Sequence, residues 1–309
     1  MADLLDILQK LKDTEAALAR ARGMVAKYPN RTTLQSTITT LQKRHRSLET
    51  LFGATTESEY LDVCSYRLIP ESGAQYTLWA LTRALGGFQD TVTLIYDAIK
   101  TGQRKERASW GADVSQETAL NFGYSYSGSL GFVFTIPNER LLLVDSTLDM
   151  AFRTLFEMAG ASSSDELARH AKRLGVAPIR KLYRWASDHV EARLNVNIQW
   201  RRREEIRASL LVQQPELIRL CEVIAQTSEE TEERQTLPGV LLGGDLTTRA
   251  FRFEPKQGGE DIRGKLADTF KSKEELRLGH AYTANFLKRV KKHYSTEKED
   301  VMWLLTKLE

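Results

Sequence analysis

Residues 4–52, LLDILQKLKDTEAALARARGMVAKYPNRTTLQSTITTLQKRHRSLETLF, decide how the chain begins to fold. Leu4, Leu8, Leu11, Leu18 and Val25 follow spacings of four and three, with Glu15 and Arg22 filling the remaining slots, which is a coiled-coil seam. Tyr28-Pro29-Asn30 then breaks the helix, because proline has no amide hydrogen and restricts the residue before it. The seam resumes at Leu34, Ile38, Leu41, His45, Leu48 and Phe52. Folding the chain back about the proline pairs positions whose numbers sum to 59 or 60: Val25 with Leu34, Leu18 with Leu41, Leu11 with Leu48, Leu8 with Phe52. The same register sets Glu15 opposite His45, a polar layer that fixes pairing rather than a catalytic dyad. The reading is an antiparallel helical hairpin over residues 1–53, with arms of roughly 35 Å at about 1.5 Å per residue. Two arms cannot bury such a seam fully, so it is expected to pack on the body or on a second copy.

Residues 54–226 read as an α+β body. EYLDVCSYRLI (59–69) is a strand with Cys64, Tyr66 and Leu68 on one face, and Leu78, Leu81, Leu85, Phe88, Val92, Ile95 and Ile99 mark a helix from about 75 to 100. Gly86-Gly87 inside it weakens the helix by roughly 1 kcal/mol per glycine and reads as a close helix–sheet contact. After a basic linker at Arg104, Lys105 and Arg107, the alternating Phe122, Tyr124, Tyr126 and Phe132, Phe134, Ile136 flank a Ser127-Gly128-Ser129 turn. That is a β-hairpin, and its aromatics read as the core face of a sheet rather than a stacking platform for bases. Helices follow at 146–158 and, behind a Ser163/Glu166 capping box, at 164 onward. The run DELARHAKRLGVAPIRKLYRWASDH invites a helix-turn-helix reading, but Lys181 stands where an apolar residue belongs and Leu182 and Trp185 come one position late. Leu194, Val196, Ile198 and Trp200 alternate with Asn195, Asn197 and Gln199 as a strand, and Arg201-Arg202-Arg203 reads as a solvated basic knot at its exit. A helix from Pro215 to Gln226 closes the body, and TSEETEERQT (227–236) reads as a linker.

Residues 237–309 read as a small five-stranded β-barrel: Leu237–Gly243, Arg249–Glu254, Glu260–Leu266, a short helix near Ser272–Leu278, then Tyr282–Val290 and a strand holding Val301, Trp303 and Leu305. This element order suits an OB-like barrel, with an SH3- or Sm-like barrel as the alternative. Lys288, Arg289, Lys291, Lys292 and His293 fall between the last two strands and, with Arg252, are the candidate nucleic-acid contacts. The competing reading is a solvated tip or a docking patch for acidic protein.

The chain has 309 residues, 41% hydrophobic and 28% charged, which describes a globular protein of two or three units. No apolar run approaches 18 residues and the first residues are amphipathic, so neither a membrane span nor a secretory leader is expected, and the location expected is the cytoplasm. Cys64 and Cys221 alone offer no disulfide framework. Net charge is +3 overall, made of +4 in residues 1–53, −4 in the middle and +3 in residues 237–309. Gly259–Lys265 has P-loop spacing, but Leu266 stands where a Ser or Thr must hold magnesium. Asp245 with Glu254-Pro255-Lys256 has the make-up of a nuclease core, but the proline distorts the strand that must aim it. The five histidines show no ligand spacing. No cofactor and no metal is expected.

The segments LTRALGGFQD (81–90), SGSLGFVF (127–134), NVNIQW (195–200) and VLLGGDLTTRAFRF…EDIRG (240–253, 260–264) resemble uncharacterised bacterial proteins that end in a five-stranded β-barrel. The resemblance covers about half the chain and leaves out the opening hairpin. It implies a barrel fused to an α+β body and association with bacterial antiviral-defence or mobile-element gene sets, and it supplies no activity or functional residue. The function expected is a non-enzymatic interaction or scaffold subunit that self-associates or meets a protein partner through the seam. The alternatives are an accessory nucleic-acid-binding protein using the basic barrel, and an enzyme whose site no linear motif reveals. The first expectation leans on polar side chains being spread along solvated faces instead of converging on one point.

Overall fold

A computed structural model describes residues 4–28, 31–126, 129–138, 145–202, 205–245, 247–268, 270 and 277–309. The chain forms two compact units, Met1–Gln226 and Thr227–Glu309.

In the first unit, helices α1 (Leu4–Lys27) and α2 (Thr32–Ser58) pack on each other, as the proline-centred register requires. Pro29 and Asn30 lie outside the described residues. The fully buried row of α1 is Ile7, Leu11, Thr14, Leu18 and Ala21 rather than the leucine seam alone. Leu4 and Leu8 are half-buried beside it, because the N-terminal part of α1 packs on a sheet as well as on α2. A helix with two neighbours needs two adjoining stripes, and Thr14 and Ala21 carry too little apolar surface to mark the second one.

The sheet has the order β2-β3-β1-β4-β5, built from β1 (Leu61–Pro70), β2 (Asn121–Tyr126), β3 (Leu130–Pro137), β4 (Leu194–Arg202) and β5 (Glu205–Val212), every pair antiparallel. Strand β5 was not expected; its exposed, mixed surface carries no clean alternation. The other helices are α3 (Leu78–Thr101), α4 (Ala112–Glu117), α5 (Thr147–Ala159), α6 (Ser164–Leu174), α7 (Ala177–Ala192) and α8 (Gln214–Gln226). Side chains alternate across a strand, so Cys64, Tyr66, Leu68, Val196, Ile198 and Trp200 share one buried face. Trp200 stacks on Phe152 of α5 at 3.8 Å, and Tyr66 meets Phe88 of α3 at 5.0 Å. The Tyr66 hydroxyl accepts from Trp185 Nε1 of α7 at 2.9 Å and lies 2.9 Å from His189 Nε2. His189 Nδ1 donates to the Trp185 carbonyl at 2.8 Å, which leaves Nε2 to accept from Tyr66.

Two expectations are corrected here. Gly87 meets Trp185 of α7, so it serves a helix–helix contact and not a helix–sheet one. The basic knot is not solvated: the Arg202 guanidinium bonds Asp62 at 2.8 and 2.9 Å and Asp149 at 2.7 and 2.9 Å, and Asn138 donates to Asp62 at 2.6 Å. Asp62 and Asp149 are buried, so the strand exit is pinned by one cation shared between two carboxylates. Arg203 lies outside the described residues. Helices α6 and α7 bury Leu182 and Trp185 in the unit. Gly175 between them has φ +87°, a left-handed conformation that suits glycine, with the Lys105 backbone against it.

The second unit is a sheet of β6 (Ser228–Asp245), β7 (Ala250–Pro255), β8 (Ile262–Leu266), β9 (Ala281–His293) and β10 (Glu299–Leu308), closed in the order β10-β8-β7-β6-β9. β8 and β10 run parallel and the other pairs antiparallel. Phe251, Phe253, Phe286, Leu305 and Leu308 centre its core. Most of the helix expected near Ser272–Leu278 lies outside the described residues. Residues 228–236, read as a linker, are instead the first half of β6, paired in register with β9. The run lacks apolar anchors because both of its faces are largely exposed, and what holds it is backbone pairing and charge.

Candidate functional site

The cations singled out in the sequence stand on β9 rather than in the loop after it. β6 sets Glu233 opposite Lys288, Glu232 opposite Arg289, Glu230 opposite Lys291 and Glu229 opposite Lys292. β10 sets Asp300 opposite Lys291 and Glu299 opposite Lys292 from the other side. Arg289 Nε reaches Glu232 at 2.6 Å, Lys288 Nζ lies 5.3 Å from the Trp303 ring centre, and Arg252 Nε bonds Asp261 at 2.6 Å. His293 Nε2 sits 2.8 Å from Asp300 and holds its carboxyl below the usual range. The acidic run of β6 is therefore the electrostatic counterpart of the basic run of β9. Binding a polyanion here would mean exchanging these protein carboxylates for phosphates, which removes much of the gain from counterion release.

A convergence of polar groups does occur, contrary to expectation, between the hairpin and the outer face of the sheet. Its foundation is apolar: Ile7, Leu11 and Phe52 pack on Val63, Tyr124 and Val133, with Leu4, Leu8, Leu48 and Tyr126 at the margin. Phe52 meets Tyr124 edge-on at 6.0 Å. A bulge between Phe122 and Tyr124 brings Gly123 under α1, where a Cβ would lie 3.1 Å from the Val133 carbonyl oxygen and 3.3 Å from Leu8 Cδ2. The seam residues Leu8, Leu11, Leu48 and Phe52 are thus brought together over the sheet. Leu18 is buried between the arms, while Val25, Leu34, Ile38 and Leu41 are half-buried at the far end.

Beside this foundation lies a cavity of about 170 Å³. The hairpin contributes Glu15, His45, Glu49 and Gly53; the strands contribute Ser65, Tyr124, Tyr126, Gln199 and Arg201. The pairing inferred from the hairpin register is present: His45 Nε2 lies 2.9 Å from Glu15 Oε1, with both side chains mostly buried. The Nε2 is thus held by an ion pair to Glu15 whose alignment is not that of a hydrogen bond. On its other side Nδ1 lies 3.4 Å from Glu49 Oε2. The hydrogen bond to Glu49 raises the imidazole's pKa against the opposing effect of burial, and it holds the Glu49 carboxyl low. Arg201 across the cavity also lowers Glu49 through space. Yet among the described residues no carboxylate lies within ion-pair distance of Arg201; its Nη2 donates to Gln199 Oε1 at 2.8 Å and its Nε is buried without a partner. Burial pushes the phenols of Tyr124 and Tyr126 upward, so both stay protonated donors.

A larger, open groove of about 920 Å³ adjoins at Glu15 and Tyr126, between α1 and the end of the sheet. Arg67 lines it and donates to Ser129 Oγ. Of these groups, the sequence brings only Glu15 and His45 together, as a structural layer; Tyr124, Tyr126, Gln199 and Arg201 each have a separate local reading. Ser65, Gln199 and Arg201 are separated from one another in sequence but share the sheet's outer face, with Ser65 directly opposite Gln199. The available signal was the amide row Asn195, Asn197, Gln199 alternating with buried residues: a face that is half-buried and polar has something above it.

Among the described residues no group of histidine, cysteine and carboxylate side chains is arranged to hold a metal, and no helix is long and apolar enough to cross a membrane. Asp245, considered for a nuclease core, instead accepts from the Thr247 and Thr248 amides of its own turn. No known protein family, curated protein or solved structure matches the chain.

Proposed function

We propose that the chain is a non-enzymatic interaction subunit whose body and hairpin together form a receptor cleft for a small polar ligand. The observation that carries this is the meeting of Glu15, His45, Glu49, Ser65, Tyr124, Gln199 and Arg201 around one cavity, with Arg201 Nε buried and lacking a hydrogen-bond partner. Buried polar atoms are almost always satisfied, and a ligand is one means of satisfying them. The convergence removes the ground on which a non-enzymatic role was expected, so the binding reading rests on the cavity and its partnerless Arg201 Nε.

In this reading the far end of the hairpin and the closed second sheet meet a protein partner or a second copy. The sheet's order, with a parallel step between β8 and β10, supports an OB-like over an SH3- or Sm-like barrel, whose meandering strands pair antiparallel. The resemblance to barrel-ending bacterial proteins supports a place in a cytoplasmic bacterial complex linked to antiviral defence or mobile elements. The accessory nucleic-acid reading loses support from the glutamates facing the β9 cations.

The test is thermal unfolding of the full chain against amino acids, organic acids, phosphates and polyols, repeated with Arg201→Gln. A ligand at a hundredfold excess over its Kd stabilises by about 2.7 kcal/mol, a rise of roughly 5–10 °C for a unit of this size. The reading expects such a rise for one class and its loss in the variant. No rise with any class rejects it.

A further inference from the structure

We propose that the hairpin–sheet cleft binds a small zwitterion, a free amino acid with a short side chain, its carboxylate held from the sheet wall and its ammonium from the hairpin wall. This rests on the cleft being a ligand site and names what fills it. The two walls carry opposite chemistry. The sheet wall presents donors: the Arg201 guanidinium, the Gln199 amide and the Ser65 hydroxyl. The hairpin wall presents the Glu15 and Glu49 carboxylates with His45 between them. The ionised Glu49 carboxylate has about four acceptor positions and keeps capacity beyond its imidazole contact.

The geometry between the walls selects the class. Arg201 and Glu49 line the same cavity from opposite walls, yet no ion pair closes between them, and the Arg201 Nη2 donates to Gln199 instead. A gap between opposite charges is bridged by a molecule carrying both charges in reverse order. A plain anion would meet two carboxylates on the hairpin, and a plain cation would leave Arg201 as it is. The cavity, about 170 Å³, suits a small ligand, and any longer side chain would have to enter the adjoining groove. The floor adds shape, since the Val133 side chain and the ring face of Tyr124 are apolar beside the polar walls and would meet a short aliphatic side chain.

Isothermal titration of the full chain with L-alanine, alaninamide, propionate and lactate tests this, because the last three each lack one element of the zwitterion. Alanine is expected to bind, and alaninamide and propionate to bind at least tenfold more weakly. Arg201→Gln and Glu49→Gln are each expected to weaken alanine at least tenfold, with Arg201→Lys recovering part of the loss through charge alone. Circular dichroism of each variant separates lost binding from lost folding. Equal binding of alaninamide or propionate overturns the zwitterion. If lactate, phosphate or a polyol binds instead and Arg201→Gln abolishes it, the ligand class is wrong while the cleft stands. If nothing binds, both fall.

Discussion

His189 makes the fold sensitive to acid in a way that can be worked out beforehand. Its ring is fully buried on α7, with Nδ1 given to the Trp185 carbonyl and Nε2 facing the Tyr66 hydroxyl, and burial pushes its pKa from 6.5 down to about 4. In the unfolded chain the imidazole returns to its ordinary value, so between pH 6.5 and 4 the unfolded state binds more protons. The stabilisation is present in full above pH 6.5 and is lost as pH falls toward about 4. Between pH 7.5 and 4.5 linkage puts the loss at about 2–3 kcal/mol for this one residue. Urea unfolding followed by tryptophan fluorescence reports it, since the Trp185 ring lies tilted beside the imidazole at 4.6 Å. The comparison is His189→Gln, whose amide oxygen can still accept from Tyr66. Glu49 and Asp149, whose carboxyls are held low, also destabilise the protein in acid, and His45 acts in the opposite sense; all three are common to both proteins and cancel. The wild type should lose about 2–3 kcal/mol more than the variant. Equal losses would refute the buried neutral imidazole.

Arg202→Met removes the one cation shared by buried Asp62 and Asp149, and the unfolding free energy should drop by about 3–5 kcal/mol in urea titrations; a drop under about 1 kcal/mol would contradict a buried network. In the second sheet, Arg289→Glu should destabilise by about 0.2–1 kcal/mol at low salt, and adding Glu232→Arg should restore most of it. Additive losses in that double-mutant cycle would mean that the two strands do not face each other through these charges.

Much of the architecture was legible because it rests on periodicity. The proline-centred register paired Leu11 with Leu48 and Glu15 with His45 before any contact was known, and strict alternation located β4. What escaped was of two kinds. Strand β6 begins in a run without apolar residues, so no hydrophobic pattern could announce it; only the matching order of SEETEE and KRVKK, acid against base, carried the information. The cleft escaped because its members come from four segments and each has an ordinary local reading. Arg201 sits in a basic triplet, Ser65 in a strand and Tyr124 in an aromatic row. Their meeting is made by the hairpin's second apolar stripe, Ile7 with Leu11, seating on Val133 and Tyr124. That seating passes over Gly123, a strand glycine that marks a bulge or a close approach but does not say what approaches.

The seating of the hairpin on the sheet creates the cleft, and nuclear Overhauser contacts in methyl-labelled full-length protein test it most directly. Cross-peaks are predicted from the Leu8 methyls to Gly123 and from the Phe52 ring to Tyr124, whose ring centres lie 6.0 Å apart. If these peaks are missing while those between Leu11 and Leu48 within the hairpin persist, the arms pair with each other but do not sit on the sheet, and no cleft exists.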